Sequence, residues 1–292
     1  MHPAPSLIAF TTLSGLGFGL LFWLGIDPTP PTGWVAFVFF ALAFVLALCG
    51  LGASAKHLGR PERALKAFTQ WRSSWLSREA WASAAALTLC GLYAAALVFF
   101  ATPVLPLGWL GALLALVTVG STAMIYTQLR TVPRWHDPST PAVFLLYALA
   151  GGALLSGRIV AAILLLIACG AAQGWAWWDG DRRMARSGTT LATATGLTGG
   201  TPRAFEPPHT GSNYLTREMV FVVGRKHAAK LRVIAAALAF VLPVLLLLLP
   251  FHHLFALVAA VSHVAGVVVA RWLFFAEAEH VVGLYYGRAP SG

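Results

Sequence analysis

The chain has 292 residues, 58% of them hydrophobic and only 10% charged, with a formal net charge of +10. A soluble domain carries about a quarter charged residues, so this balance excludes an ordinary soluble enzyme and describes a polytopic membrane protein with little mass outside the bilayer. In such a chain the positive charge sets topology and attracts anionic headgroups or an acidic partner rather than nucleic acid.

Eight apolar segments follow in chain order, at roughly 6–26, 34–55, 80–101, 107–128, 139–157, 159–178, 232–250 and 253–275. Each approaches the ~20 residues that a helix needs to cross the hydrocarbon core. The predicted fold is therefore all-α and integral to the membrane, a single polytopic domain over 1–292 with eight transmembrane helices. No basic stretch precedes the first apolar run (MHPAPSLIAF), so that run is expected to be a retained helix rather than a cleaved signal.

Eight crossings put both termini and the second, fourth and sixth connections on one face. The second connection holds Lys56, Arg60, Arg63, Lys66, Arg72 and Arg78, and the fourth holds Arg130 and Arg134. The sixth is basic from Arg182 to Arg232, and Arg271 and Arg288 are counted with the tail. Of the 20 lysines and arginines, only Arg158 falls on the opposite face. Cationic loops stay in the cytoplasm. Both termini and the long loops 56–79 and 179–231 are thus expected on the cytoplasmic side of a bacterial inner membrane, where the loops offer docking surfaces. The connections on the other face (27–33, 102–106 and 251–252) are too short to hold a soluble partner.

An internal echo links SWLSRE (74–79) to NYLTRE (213–218), on the same face and four crossings apart. It fits two four-helix halves in parallel orientation. It fits equally a shared helix start, with Ser77 or Thr216 as N-cap and Glu79 or Glu218 in the first turn. The tryptophans near the predicted interfaces, among them Trp71, Trp75, Trp81, Trp135 and Trp175, fit an aromatic belt.

Cys49, Cys90 and Cys169 lie inside apolar segments with no C-x-x-C spacing, so no metal cluster, zinc site or disulfide is expected in this chain. Ionisable groups within a membrane are the default functional candidates. The bilayer segments offer His263, Gln128 and Gln173, and no Asp, Glu, Lys or Arg at mid-span in the first four. That disfavours an ion-coupled transporter with an internal carboxylate relay. Haem b would need two histidines at similar depth on facing helices, and His57, His227, His252, His253 and His263 form no convincing pair.

The densest polar cluster, KHLGRPERALKAFTQWRSSWLSREAW (56–81), lies at the boundary of the second and third helices. His57 titrates near neutrality and could exchange a proton as a bound quinol or quinone changes redox state. Glu79 is a candidate second proton carrier, and Arg60 could orient the ring oxygen. The plainer alternative is a topogenic, lipid-facing loop.

The run HLGRPERALKAF (57–68) with WLSRE (75–79) resembles the membrane-anchor subunit of the dimethyl sulfoxide reductase family of molybdopterin oxidoreductases. YTQLRTVPRW (126–135) and, more loosely, SHVAGVVVARWLFFAEAEHVVGLYYG (262–287) extend the resemblance along nearly the whole chain. It implies a non-catalytic anchor without redox metal. Such a subunit passes electrons between ubiquinone or menaquinone and an iron–sulfur subunit, which serves a molybdopterin catalytic subunit. It places the quinone-site histidine on His57 and a functional acid on Glu79. The basic loops favour a relative with cytoplasmic catalytic subunits, such as the sulfite-oxidising complexes, over S- or N-oxide reduction. Arg72, Arg78, Arg130 and Arg217 are the expected docking residues. A haem b anchor and a small-molecule transporter are the rival readings.

Overall fold

The computed structural model describes residues 1–56, 61–197, 199–203, 205–206, 211, 213–219 and 227–286, and these contain helices and turns but no strand. Among the described residues seven helices are long and apolar enough to cross a membrane. They are α1 (Pro5–Gly25), α2 (Gly33–Ala55), α3 (Trp75–Phe100), α4 (Leu105–Thr127), α6 (Ile159–Arg186), α7 (Ala228–Leu248) and α8 (His253–Ala276). Between α4 and α6 lies α5 (Ser139–Leu155), apolar and 17 residues long. Prolines in the first turn start α1 and α4, where the missing N–H has no helical partner to lose.

Two boundaries differ from the sequence expectation. The third helix starts at Trp75 rather than near 80, which draws Glu79 into its second turn. The sixth continues to Arg186, so 179–186 is helix rather than loop. Hydropathy falls where charges begin, but backbone hydrogen bonding does not stop there.

The helices form two packed groups, α1–α4 and α5–α8, joined mainly where α1 lies on α5. Small residues set the separation, as they do in membrane bundles that lack a hydrophobic driving force between helices. A Cβ on Gly19 would lie 1.9 Å from the Ala148 carbonyl oxygen, and one on Gly152 would lie 2.2 Å from the Gly19 carbonyl carbon. Gly17 meets the backbone of Ala47 on α2 in the same way.

Main-chain contacts bring the connections together. The Met1 amine donates to the Ala278 carbonyl at 2.7 Å. The Val281 N–H donates to Thr131 O at 2.9 Å, and the His2 N–H to Glu218 O at 2.7 Å. The N-terminus, the α4–α5 connection, the 213–219 turn and the tail therefore share one face. On the other face Arg158 pairs with Asp27 at 2.7 Å and lies 5.2 Å over the Trp23 ring.

Helix α7 is interrupted. Pro243 has no N–H for the Ala239 carbonyl, and a π-helical turn at Ala237–Val241 precedes it. Helix α8 supplies the missing donors: His263 bonds Ala239 O through Nδ1 at 2.7 Å, and Ser262 Oγ donates to Leu238 O at 2.8 Å. A carbonyl released inside a bilayer needs such a neighbour. The His263 Nδ1 therefore carries the proton, since it faces an acceptor.

Gly19→Ala should lower the unfolding temperature by an amount equivalent to about 1–3 kcal/mol. Gly15→Ala, on the same helix with open space at its Cβ, should be neutral; equal effects would refute the close-contact account. His263→Leu should cost about 1–3 kcal/mol by stranding the Ala239 carbonyl, read by thermal denaturation in detergent.

Candidate functional site

The site begins with Glu79. Its position in the second turn of α3 turns the carboxyl inward, onto α4, where it is 3% exposed. The Thr122 hydroxyl hydrogen-bonds both the Glu79 carboxyl and, at 3.1 Å, the Thr118 carbonyl one turn away. A hydroxyl has one proton to give. Both bonds coexist when the carboxyl carries a proton and donates to Thr122, which then donates to Thr118. Among the described residues no cation forms an ion pair with Glu79. Burying an unpaired carboxylate is costly, so the neutral acid is the form this pocket suits. Ser77, two positions before and also buried, leaves its hydroxyl without a partner.

The segment before α3 is fastened to the first turns of that helix. Pro61–Phe68 forms a short 3₁₀ helix. The Trp81 indole N–H donates to Phe68 O at 3.0 Å, and the two rings meet edge to face at 5.2 Å. Arg78 donates to Trp71 O at 3.0 Å and Arg72 O at 2.8 Å, with its guanidinium 4.3 Å over the Trp75 ring. Arg78, expected at a docking surface, thus spends donors on closing its own loop. Arg72, Arg130 and Arg217 are exposed on the same face. His57 and Arg60 lie outside the described residues; α2 ends at Ala55, two positions before His57.

A second polar region spans the ends of α5, α6, α7 and α8. Arg134 pairs with Asp181 and, at 3.3 Å, with Glu277. Arg232 pairs with Asp181 at 2.6 Å and Glu277 at 2.7 Å. Arg183 bonds Asp179 at 2.6 Å and Asp137 at 2.9 Å, and Arg186 bonds Asp179 at 2.7 Å. This network locks the α4–α5 connection to three helix ends. Beneath it lies Arg271, expected with the tail. It sits instead inside α8, 3% exposed, 3.6 Å from the centre of the Phe144 ring. A cation flanked by VVVA and WLFF within a predicted span was the available signal.

Trp135, expected in an interfacial belt, is instead buried. It stacks on Phe274 at 5.0 Å and donates to its carbonyl at 2.9 Å. Tyr126 joins the same group, meeting Trp135, Phe144, Phe274 and Phe275 within 6 Å. His263 is buried with Nε2 against Gly151, where a Cβ would lie 3.3 Å away.

Buried acid, basic face and helical bundle together define a multi-pass membrane protein with its charge gathered on one side. Residues 1–171 match the model of the DMSO reductase anchor subunit family, DmsC. The sequence is 33% identical to the C subunit of the sulfite dehydrogenase of Allochromatium vinosum, over 98% of this protein and 99% of that relative. It is 30% identical to two Escherichia coli proteins. One is the YnfH component of an anaerobic dimethyl sulfoxide reductase, over 56% of this protein and 64% of the relative. The other is the C component of the anaerobic dimethyl sulfoxide reductase, over 46% and 45%. No solved structure matches the sequence significantly. The chain belongs to the DMSO reductase anchor subunit family.

The shared face has one pH-sensitive clasp outside the membrane spans. His280 Nδ1 accepts from the Val282 N–H at 3.0 Å. Burial, and then the nearby N-terminal amine, hold the imidazole below its usual protonation range. The folded state therefore favours the neutral ring. Its contribution is complete above the unfolded value of about 6.5 and fades as pH falls through the lower folded value. The unfolding temperature should drop below about pH 6.5, and His280→Asn should flatten that part of the profile. An unchanged slope in the variant would assign the effect elsewhere.

Proposed function

We propose that this anchor subunit is the quinone-reactive membrane arm of a heterotrimeric molybdoenzyme. It passes electrons between the quinone pool and an iron–sulfur subunit, and Glu79 moves a proton. The observation that carries the reading is the Glu79–Thr122 pair: a protonatable acid within α3, near the end of the helix on the basic face. Reduction of a quinone takes two electrons and two protons. A neutral carboxyl in hydrogen-bond contact can give one proton and recover it through the loop side, and His57 is the second proton carrier. Arg60 orients the ring oxygen.

Similarity to a sulfite dehydrogenase subunit over nearly the full length of both proteins favours sulfite oxidation in the partner and electron flow toward quinone. Molybdopterin and iron–sulfur clusters then belong to the partner subunits, which dock on loops 56–79 and 179–231 through Arg72, Arg130 and Arg217. Arg78 holds the first of these loops in shape. The contact of Met1 with Ala278, just past α8, and the one-sided basic charge support eight crossings of a bacterial inner membrane, with both ends in the cytoplasm.

In the intact complex, Glu79→Gln should reduce quinone-linked turnover by about 100-fold or more, while activity with an artificial electron dye stays at the parental level. Thr122→Val should fall between the two. Parental quinone kinetics in Glu79→Gln would remove this acid from the mechanism.

A further inference from the structure

We propose that the cavity beneath the ion-pair network binds one phosphate-type oxyanion on Arg271. The cavity lies between α5, α6 and α8, holds about 40 Å³, and is walled by Phe144, Tyr147, Gln173, Trp177 and Arg271.

Three observations converge on an anion. The first is a surplus of charge. In the network above, Arg134, Arg183, Arg186 and Arg232 are matched by Asp137, Asp179, Asp181 and Glu277. Every carboxylate there is already committed to one of those arginines. Arg271 is the cation left over, and no ion pair reaches it among the described residues. Arginine keeps its proton even when buried, so its charge persists within the span.

The second is unmet hydrogen bonding. Arg271 is 3% exposed and its Nε has no partner. The faces of Phe144 at 3.6 Å and Tyr147 at 5.0 Å offset part of the cost through cation–π attraction but accept no hydrogen bond in plane. Beside it the Tyr147 hydroxyl donates to Gln173 Oε1 at 3.2 Å. That bond orients the amide and leaves its N–H groups for another acceptor. The cavity is thus rich in donors, and with Arg134, Arg183 and Arg271 in its wall against the single carboxylate of Glu277 it carries a net positive charge.

The third is size. A volume of about 40 Å³ accommodates roughly three waters, the bulk of one oxyanion group, whereas a quinone ring with its tail would have to displace the aromatic walls. Arg271 lies five residues from the end of α8, roughly 7.5 Å below the basic face at the helical rise. This depth suits the headgroup phosphate of an anionic lipid as well as free phosphate entering from the aqueous side. The inference rests on charge and cavity alone and is independent of the quinone reading.

The test uses the purified complex in mild detergent, stripped of phosphate, with two probes at constant ionic strength. Inorganic phosphate is followed by calorimetry and dioleoylphosphatidylglycerol by native mass spectrometry. One of them should bind at one per anchor subunit, and Arg271→Gln should weaken that binding by about ten-fold or more. Saturation by the lipid alone identifies a headgroup site; saturation by phosphate identifies a soluble anion. Equal binding of both probes to parent and variant, or no binding to the parent, overturns the proposal. If Arg271→Gln does not fold, Gln173→Leu keeps the charge and removes the amide donors. It should bind the same probe several-fold more weakly, and unchanged affinity in it also overturns the site.

Discussion

Within hydrocarbon no water is at hand to satisfy a polar group, so every carbonyl, hydroxyl and charge in the spans must find its partner inside the protein. Much of this structure follows from that constraint. Hydroxyls bond back to their own helices, as Thr11 does to Leu7, Ser14 to Phe10 and Thr118 to Leu114. The Trp23 indole crosses to the Leu149 carbonyl at 2.9 Å. The break that Pro243 makes in α7 fixes where α8 must lie, because His263 and Ser262 bring the donors to it. Opposite charges run out at the acid on α3 and the cation on α8, neither of which forms an ion pair among the described residues.

These two places belong to different halves of the bundle, and an aromatic cluster lies between them. Tyr126 leads from α4 into the group formed by Trp135, Phe144, Phe274 and Phe275, and Phe144 is also the ring beneath Arg271. The cluster is near the basic face, under the connections between helices. Those connections therefore rest on a layer of stacked rings and matched ion pairs, both stiff.

Much of this arrangement is legible in the sequence. Length and hydropathy place the helices, and the basic connections place the shared face that the Met1, Thr131 and Val281 contacts then draw together. Glu79 stands out because an acid beside an apolar run is rare. The misplacements share one cause. A hydropathy window reads charged residues as an end, so it starts α3 too late and stops α6 too early; the same habit counts Arg271 with the tail by its charge, although it falls inside the predicted 253–275 span and a helix holds a charge wherever a ring or a cavity receives it. Trp135 departs from expectation for a related reason: tryptophan near an interface is usually a belt residue, and only the turn at 128–138 folds this one inward. The His57 and Arg60 part of the site rests on sequence, since those residues lie outside the described ones. No periodicity could reveal the Thr122 partner, which comes from a different helix 43 positions away.

The central position of α1 bears on how the chain is made. Its tightest contacts are with Ala148 and Gly152 of α5, more than 120 residues later. Made well before α5, α1 enters the bilayer before that surface exists, with Gly19 turned toward an absent neighbour. Helix α2 can shelter only the side at Gly17 and Ser14. The first half therefore waits as an unfinished module with one small-residue groove open to lipid. Synthesis of α5 ends that interval, which makes the arrival of the fifth helix the commitment point of assembly.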